Sequence, residues 1–159
     1  MQERGESMAA QQNSEAVQTK QYATVHVDTL FLGIEVAKVQ EVMRDQQMTD
    51  VPLAPPAIKG LINLRGQIVI AVDTRHSLGL AALETGESAH NIIIRSDDGG
   101  VSLLVDEIGD VLDVPIEAFA PVPENMPAER RELIEGVYNL NERLLLILDT
   151  KKLLQRACG

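Results

Sequence analysis

The residues with the chemistry for a reaction are few, and most stand without the partners a reaction needs. Asp73 and Asp149 each close an apolar run as part of an Asp-Thr pair. Two carboxylates sharing a site can divide general acid and base work, so an enzyme built on Asp73 and Asp149 is one reading. Each also precedes a short helix-compatible segment, where a carboxylate accepts the free backbone N–H groups of the first turn. Capping is the simpler assignment. His26, His76 and His90 fall on a strand, a helix and a joint, with no two at ligand spacing on one element, so a metal site has no support. The motifs of nucleophile elbows, Walker loops and dinucleotide folds are absent. Cys158 is the single cysteine, which excludes an intrachain disulfide or thiolate cluster and suits a reducing cytosol. The acidic pairs Asp97-Asp98 and Asp106-Glu107 read as solvated turns. Arg65 is different. It sits in the tight turn Asn63-Leu64-Arg65-Gly66, and its planar fork suits a carboxylate or a row of carbonyls on a partner. The alternative is an internal pair with Glu41, and both can hold at once.

That turn belongs to a stretch that occurs twice. Ile58–Leu78 and Ile134–Leu154 align without gaps, coinciding at Ile58/Ile134, Gly60/Gly136, Asn63/Asn139, Leu64/Leu140, Asp73/Asp149, Thr74/Thr150 and Leu78/Leu154. Arg65-Gly66 in one copy faces Asn141-Glu142 in the other. Shared positions build the fold; the difference points to function. The repeat extends backwards, with Val36, Val39 and Val42 lying over Val105, Ile108 and Val111. Each half therefore reads as a hairpin, a turn bearing three β-branched residues, a proline-containing loop, a Gly-Asn-Leu hairpin, a buried strand and a capped helix. Gly79 suits a left-handed position after the first helix.

Short strands with regular turn signals predict a mainly all-β chain of two small five-stranded barrels related by an approximate two-fold axis. The expected boundaries are a disordered tail over 1–21, one barrel over 22–80, a joint over 81–90 and a second barrel with a C-terminal helix over 91–159. A groove between barrels is expected to be lined by Val39, Val42, Ile108 and Val111.

Composition agrees. Of 159 residues, 45% are hydrophobic but only 3% aromatic, with no Trp, so the core must be aliphatic. A net charge of −10 repels phosphate backbones and anionic lipid, arguing against nucleic acid and membrane surfaces as partners. No basic region followed by an apolar run opens the chain, so no signal peptide is expected. The apolar runs are too short to cross a bilayer.

The segments LGIEVAKVQEV (Leu32–Val42), IKGLINLRGQIVIAVD (Ile58–Asp73), VSLLVDEIGDVL (Val101–Leu112) and LLLILDTKKLL (Leu144–Leu154) resemble the chemotaxis coupling protein family CheW, over residues 22–155. The resemblance implies SH3-like barrels and a non-catalytic signalling adaptor without cofactor. Such an adaptor joins the cytoplasmic tips of methyl-accepting chemoreceptors to the regulatory domain of a CheA-type histidine kinase, in cytoplasmic arrays. It implies receptor contacts at Val39, Glu41, Gly60, Asn63, Arg65, Ile108 and Val111. Kinase contacts fall on the loop holding Ala120, Pro121, Glu124 and Asn125, where some members carry a basic and an aromatic residue. A peptide- or small-ligand-binding barrel outside chemotaxis is the other class of function.

Overall fold

A computed structural model describes residues 18–44, 46–81, 90–97 and 99–158. Strands β1 (Thr19–Val27) and β2 (Leu30–Glu35) form a hairpin turning through Asp28, whose φ of 57° is one that Asp tolerates. A single 3-10 turn, Val36–Lys38, leads into β3 (Val39–Arg44). A second hairpin joins β4 (Ile58–Leu64) to β5 (Gln67–Asp73), followed by the helical turn α1 (Thr74–Ser77). Then come β6 (His90–Ser96), β7 (Gly99–Val105) and β8 (Glu107–Pro115), a 3-10 turn at Ile116–Ala118, and the short helix α2 (Ala128–Arg131). The chain ends with the hairpin β9 (Ile134–Leu140) and β10 (Arg143–Leu148) and helix α3 (Thr150–Cys158).

These strands make two five-stranded sheets, ordered β3-β6-β7-β5-β4 and β9-β10-β2-β1-β8. The first is called here the first barrel and the second the second barrel. They do not coincide with the halves 22–80 and 91–159 expected from the repeat. Each half gives its leading hairpin to the other half's sheet: β1–β2 joins β8, β9 and β10, and β6–β7 joins β3, β4 and β5. The exchange is sealed by two parallel pairings, β10 with β2 (Leu146 to Leu32, Ile147 to Gly33) and β5 with β7 (Ile70 to Val101, Val72 to Leu103). Parallel neighbours need a long crossover, and here each crossover is the rest of the opposite barrel. Gly33 permits the first pairing, since a Cβ there would lie 3.0 Å from Ile147 Cδ1.

Alternation along each strand divides the aliphatic core in three. Ile62, Leu64, Val69, Ala71 and Ile93 fill the first barrel. Tyr22, Phe31, Val114, Tyr138, Leu145 and Ile147 fill the second. The largest cluster lies between them, where Val72, Ile92 and Leu103 meet Val25, Leu32 and Leu146 and where Leu153 of α3 is buried. The ends of the chain also differ from expectation. Thr19–Gln21 continue β1, pairing with Pro115, Val114 and Asp113, so the tail expected over 1–21 is strand in its last three residues. Residues 1–17 and 82–89, which hold the rest of that tail and nearly all of the expected joint, lie outside the described residues. His90 already belongs to β6.

Candidate functional site

Each barrel has two edge strands, and the way each seam closes decides what its surface presents. In the first barrel the edges are β3 and β4. The chain leaving β3 returns so that Thr49 and Leu61 exchange both backbone hydrogen bonds, at 2.8 Å each. This approach requires Gly60, where a Cβ would sit 2.7 Å from Thr49 O. The second barrel repeats the device. Ala120 and Val137 exchange bonds of 2.9 and 2.8 Å, and a Cβ on Gly136 would meet Ala120 O at 2.7 Å and run into the Phe119 ring. The Gly60/Gly136 match therefore marks two seams.

The side chains at the seams differ. Beyond Gly60 the β4–β5 hairpin turns through Arg65 and Gly66, with φ of 51° and 89°. Two positive φ values give the mirror-image turn that suits the twist of a two-residue hairpin. Asn63 stabilises it by accepting from Gly66 N at 2.9 Å. The turn aims Arg65 across the seam at Glu41 of β3, forming a two-pronged pair: Nη1 donates to Oε2 at 3.2 Å and Nη2 to Oε1. The Glu41 carboxylate pushes the guanidinium further up from its already high ordinary value. Two-thirds of the Arg65 side chain (66%) is still exposed, so the fork is fixed in direction yet open to a partner. Asn141 stands at the equivalent turn, with φ 32°.

The remaining residues singled out in the sequence separate by depth. Val39 and Ile108 are half-buried against the central core, whereas Val42 and Val111 are 47% and 55% exposed. The row of four is thus part foundation and part surface. Gly60 is buried and Asn63 exposed. In the other loop Pro121, Glu124 and Asn125 are exposed, while Ala120 is held in the second seam. Asp73 and Asp149 each cap a helix, accepting from His76 N at 3.2 Å and Lys152 N at 3.0 Å, as the capping assignment expected.

One charged centre escaped the sequence reading. Asp106, expected in a solvated turn, is largely buried. It takes Arg75 Nε at 3.0 Å and Nη2 at 2.6 Å, accepts Asp28 N at 2.6 Å, and its carbonyl lies 3.0 Å from His90 Nδ1. Burial alone would push its carboxyl up; the Arg75 guanidinium and the Asp28 N–H overcome this and hold it below the usual range. The Asp106–Arg75 pair spans 31 positions, and no spacing rule connects them.

Residues 21–158 match the family model described as CheW-like domain. The chain belongs to the CheW-like family. It is 34% identical over 122 residues to a chemotaxis protein CheW of Klebsiella aerogenes, covering 77% of this chain and 74% of that one. A Bacillus subtilis chemotaxis protein CheW is 33% identical over 124 residues, covering 78% and 80%. The crystal structure of the scaffolding protein TtCheW from Thermoanaerobacter tengcongensis superposes with a TM-score of 0.74 at 23% identity, covering 82% of this chain and 89% of that one. CheW-like membership accounts for the two-sheet fold and for a scaffold whose visible carboxylate pair serves capping.

Proposed function

We propose that this chain is a non-catalytic chemotaxis adaptor that couples the cytoplasmic tips of chemoreceptors to a CheA-type histidine kinase. The observation that carries this reading is the Arg65 fork, oriented by Glu41 across the first seam and left open to solvent. A guanidinium so held loses little freedom on meeting a carboxylate or carbonyl row of a receptor hairpin. Val39, Glu41, Gly60, Asn63, Ile108 and Val111 complete the receptor face, Gly60 by shaping the seam beneath it. Ala120, Pro121, Glu124 and Asn125 at the end of the second barrel are the kinase contact. Control passes through geometry and population shift rather than through bond chemistry. Among the described residues no helix is long and apolar enough to cross a membrane; the place of work on this reading is the cytoplasmic receptor array.

The test is reconstitution with receptor cytoplasmic fragments and a CheA-type kinase. Arg65→Glu sets two carboxylates against each other at the seam and reverses the charge shown to the receptor. Receptor-dependent control of the kinase is expected to be lost while far-UV circular dichroism and the melt stay close to the parent's. Unchanged coupling would overturn the assignment.

A further inference from the structure

Among the described residues, the non-glycine positions with positive φ are Asp28 (57°), Leu53 (63°), Arg65 (51°) and Asn141 (32°). Asp and Asn are at home there because their short polar side chains bond locally. Arg65 has its partner in Glu41. Leu53 has neither excuse. It occupies the third position of the turn Val51-Pro52-Leu53-Ala54, closed by Ala54 N donating to Val51 O at 3.2 Å. Proline second and positive φ third is the pattern of a type II turn, whose third position favours Gly or Asn. The side chain is also fully exposed, at 104% of its reference area. A leucine here strains the backbone and leaves its apolar surface in water, and no contact within the fold offsets either cost.

We infer that Leu53 is the apolar anchor of a second protein contact, made by the end of the first barrel with the kinase domain that meets the end of the second. This rests on the adaptor reading above. Three observations carry it. Leu53 lies four residues past the seam residue Thr49, as Glu124 lies four past the seam residue Ala120, so the pseudo-two-fold places it over the proposed kinase loop. Prolines at 52, 55 and 56, with Ala57 buried and bonded through its carbonyl to Asp73 N at 2.7 Å, fix the turn in advance, which lowers the entropy lost on docking. An isolated leucine on a rigid turn is recognised by an apolar socket, not by a charged or hydrated surface.

The test compares Leu53→Asn, Leu53→Ala and Leu53→Met in the full chain, measuring Kd for a CheA-type kinase, the melt, and co-sedimentation with receptor fragments. Asn and Ala are expected to weaken the kinase complex about tenfold or more and Met by less than about threefold. Receptor co-sedimentation should be unchanged. Asn should leave Tm unchanged or raise it by roughly 1–3 °C, since it accepts the turn. Kinase binding by Leu53→Asn within twofold of the parent, or a Tm drop showing that the fold needs this leucine, would overturn the inference. Failure of the parent itself to bind the kinase would overturn the adaptor reading, and this contact with it.

Discussion

The two barrels close their seams with the same backbone and different side chains. Both need a glycine on the edge strand and a reciprocal backbone pair, Gly60 with Thr49–Leu61 and Gly136 with Ala120–Val137. Over this, the second barrel lays Phe119, its ring 5.4 Å from Tyr138, which in turn lies 5.6 Å from Tyr22. The first barrel instead throws the Arg65–Glu41 pair across the opening. The second seam is therefore a packed lid, and the first is a charged latch accessible to water. Because closure is the backbone's work, the side chains above the first seam were free to become a recognition surface.

The comparison can be broken most directly at the glycines. Gly136→Ala pushes a methyl into both a carbonyl and an aromatic ring, and is expected to cost about 3 kcal/mol of unfolding free energy. Gly60→Ala meets the carbonyl and the Cβ of Met48, and is expected to cost about 2 kcal/mol. Urea unfolding of both variants decides it; costs near zero would mean that the seams do not close the barrels.

A smaller effect is expected at Asp106, which ties α1 to the β1–β2 and β7–β8 connections of the two sheets. Removing the charge in Asp106→Asn leaves Arg75 short of its main partner and should cost about 2 kcal/mol at neutral pH. The folded-state carboxyl is held below its ordinary value of 3.8, so its stabilisation is present above that pH and is lost as pH falls through and below about 4. Thermal melts from pH 6 to 3 should show the parent losing its margin over the Asn variant. A constant margin would remove Asp106 as the acid-sensitive group.

The smallest expected effect concerns a mismatch between the copies. Lys59 on β4 faces Asp73 at 3.8 Å, whereas its counterpart Glu135 on β9 faces Asp149. Desolvation and the Asp149 charge push the Glu135 carboxyl up, the mark of a group less comfortable ionised in the fold than out of it. Glu135→Lys should reproduce the first barrel's pairing and add about 0.5 kcal/mol, seen as a Tm rise of roughly 1–2 °C. A fall in Tm would show that the two β-strand surroundings are not equivalent.

Much of this was legible in the residues because the repeat is written in hard local rules. The Asp-Thr caps, the positive-φ turns and the glycine spacing each leave a signature within a few positions. The allocation of hairpins to barrels was not legible. A repeat shows that two halves are alike, but an isolated apolar hairpin such as Ile92–Leu103 satisfies its own half's sheet as well as its neighbour's, and the parallel pairings that choose between them join residues far apart in sequence. The Arg65–Glu41 pair was anticipated as one of two possibilities because the Arg65/Asn141 difference stood out. Asp106 was missed because a carboxylate beside another carboxylate looks solvated until Arg75 arrives from another element.

The exchanged hairpins also set a schedule for the growing chain. β1 and β2 leave the ribosome first, yet their sheet is completed only by β8, β9 and β10 from the last third of the sequence. Until then the β1–β2 hairpin carries an unpaired edge on each side and cannot finish a domain of its own. Long-range pairing of this kind slows folding and exposes strand edges to wrong partners. The architecture that locks the two barrels together in the finished adaptor thus makes its birth an all-or-none event, deferred until nearly the whole chain has been made.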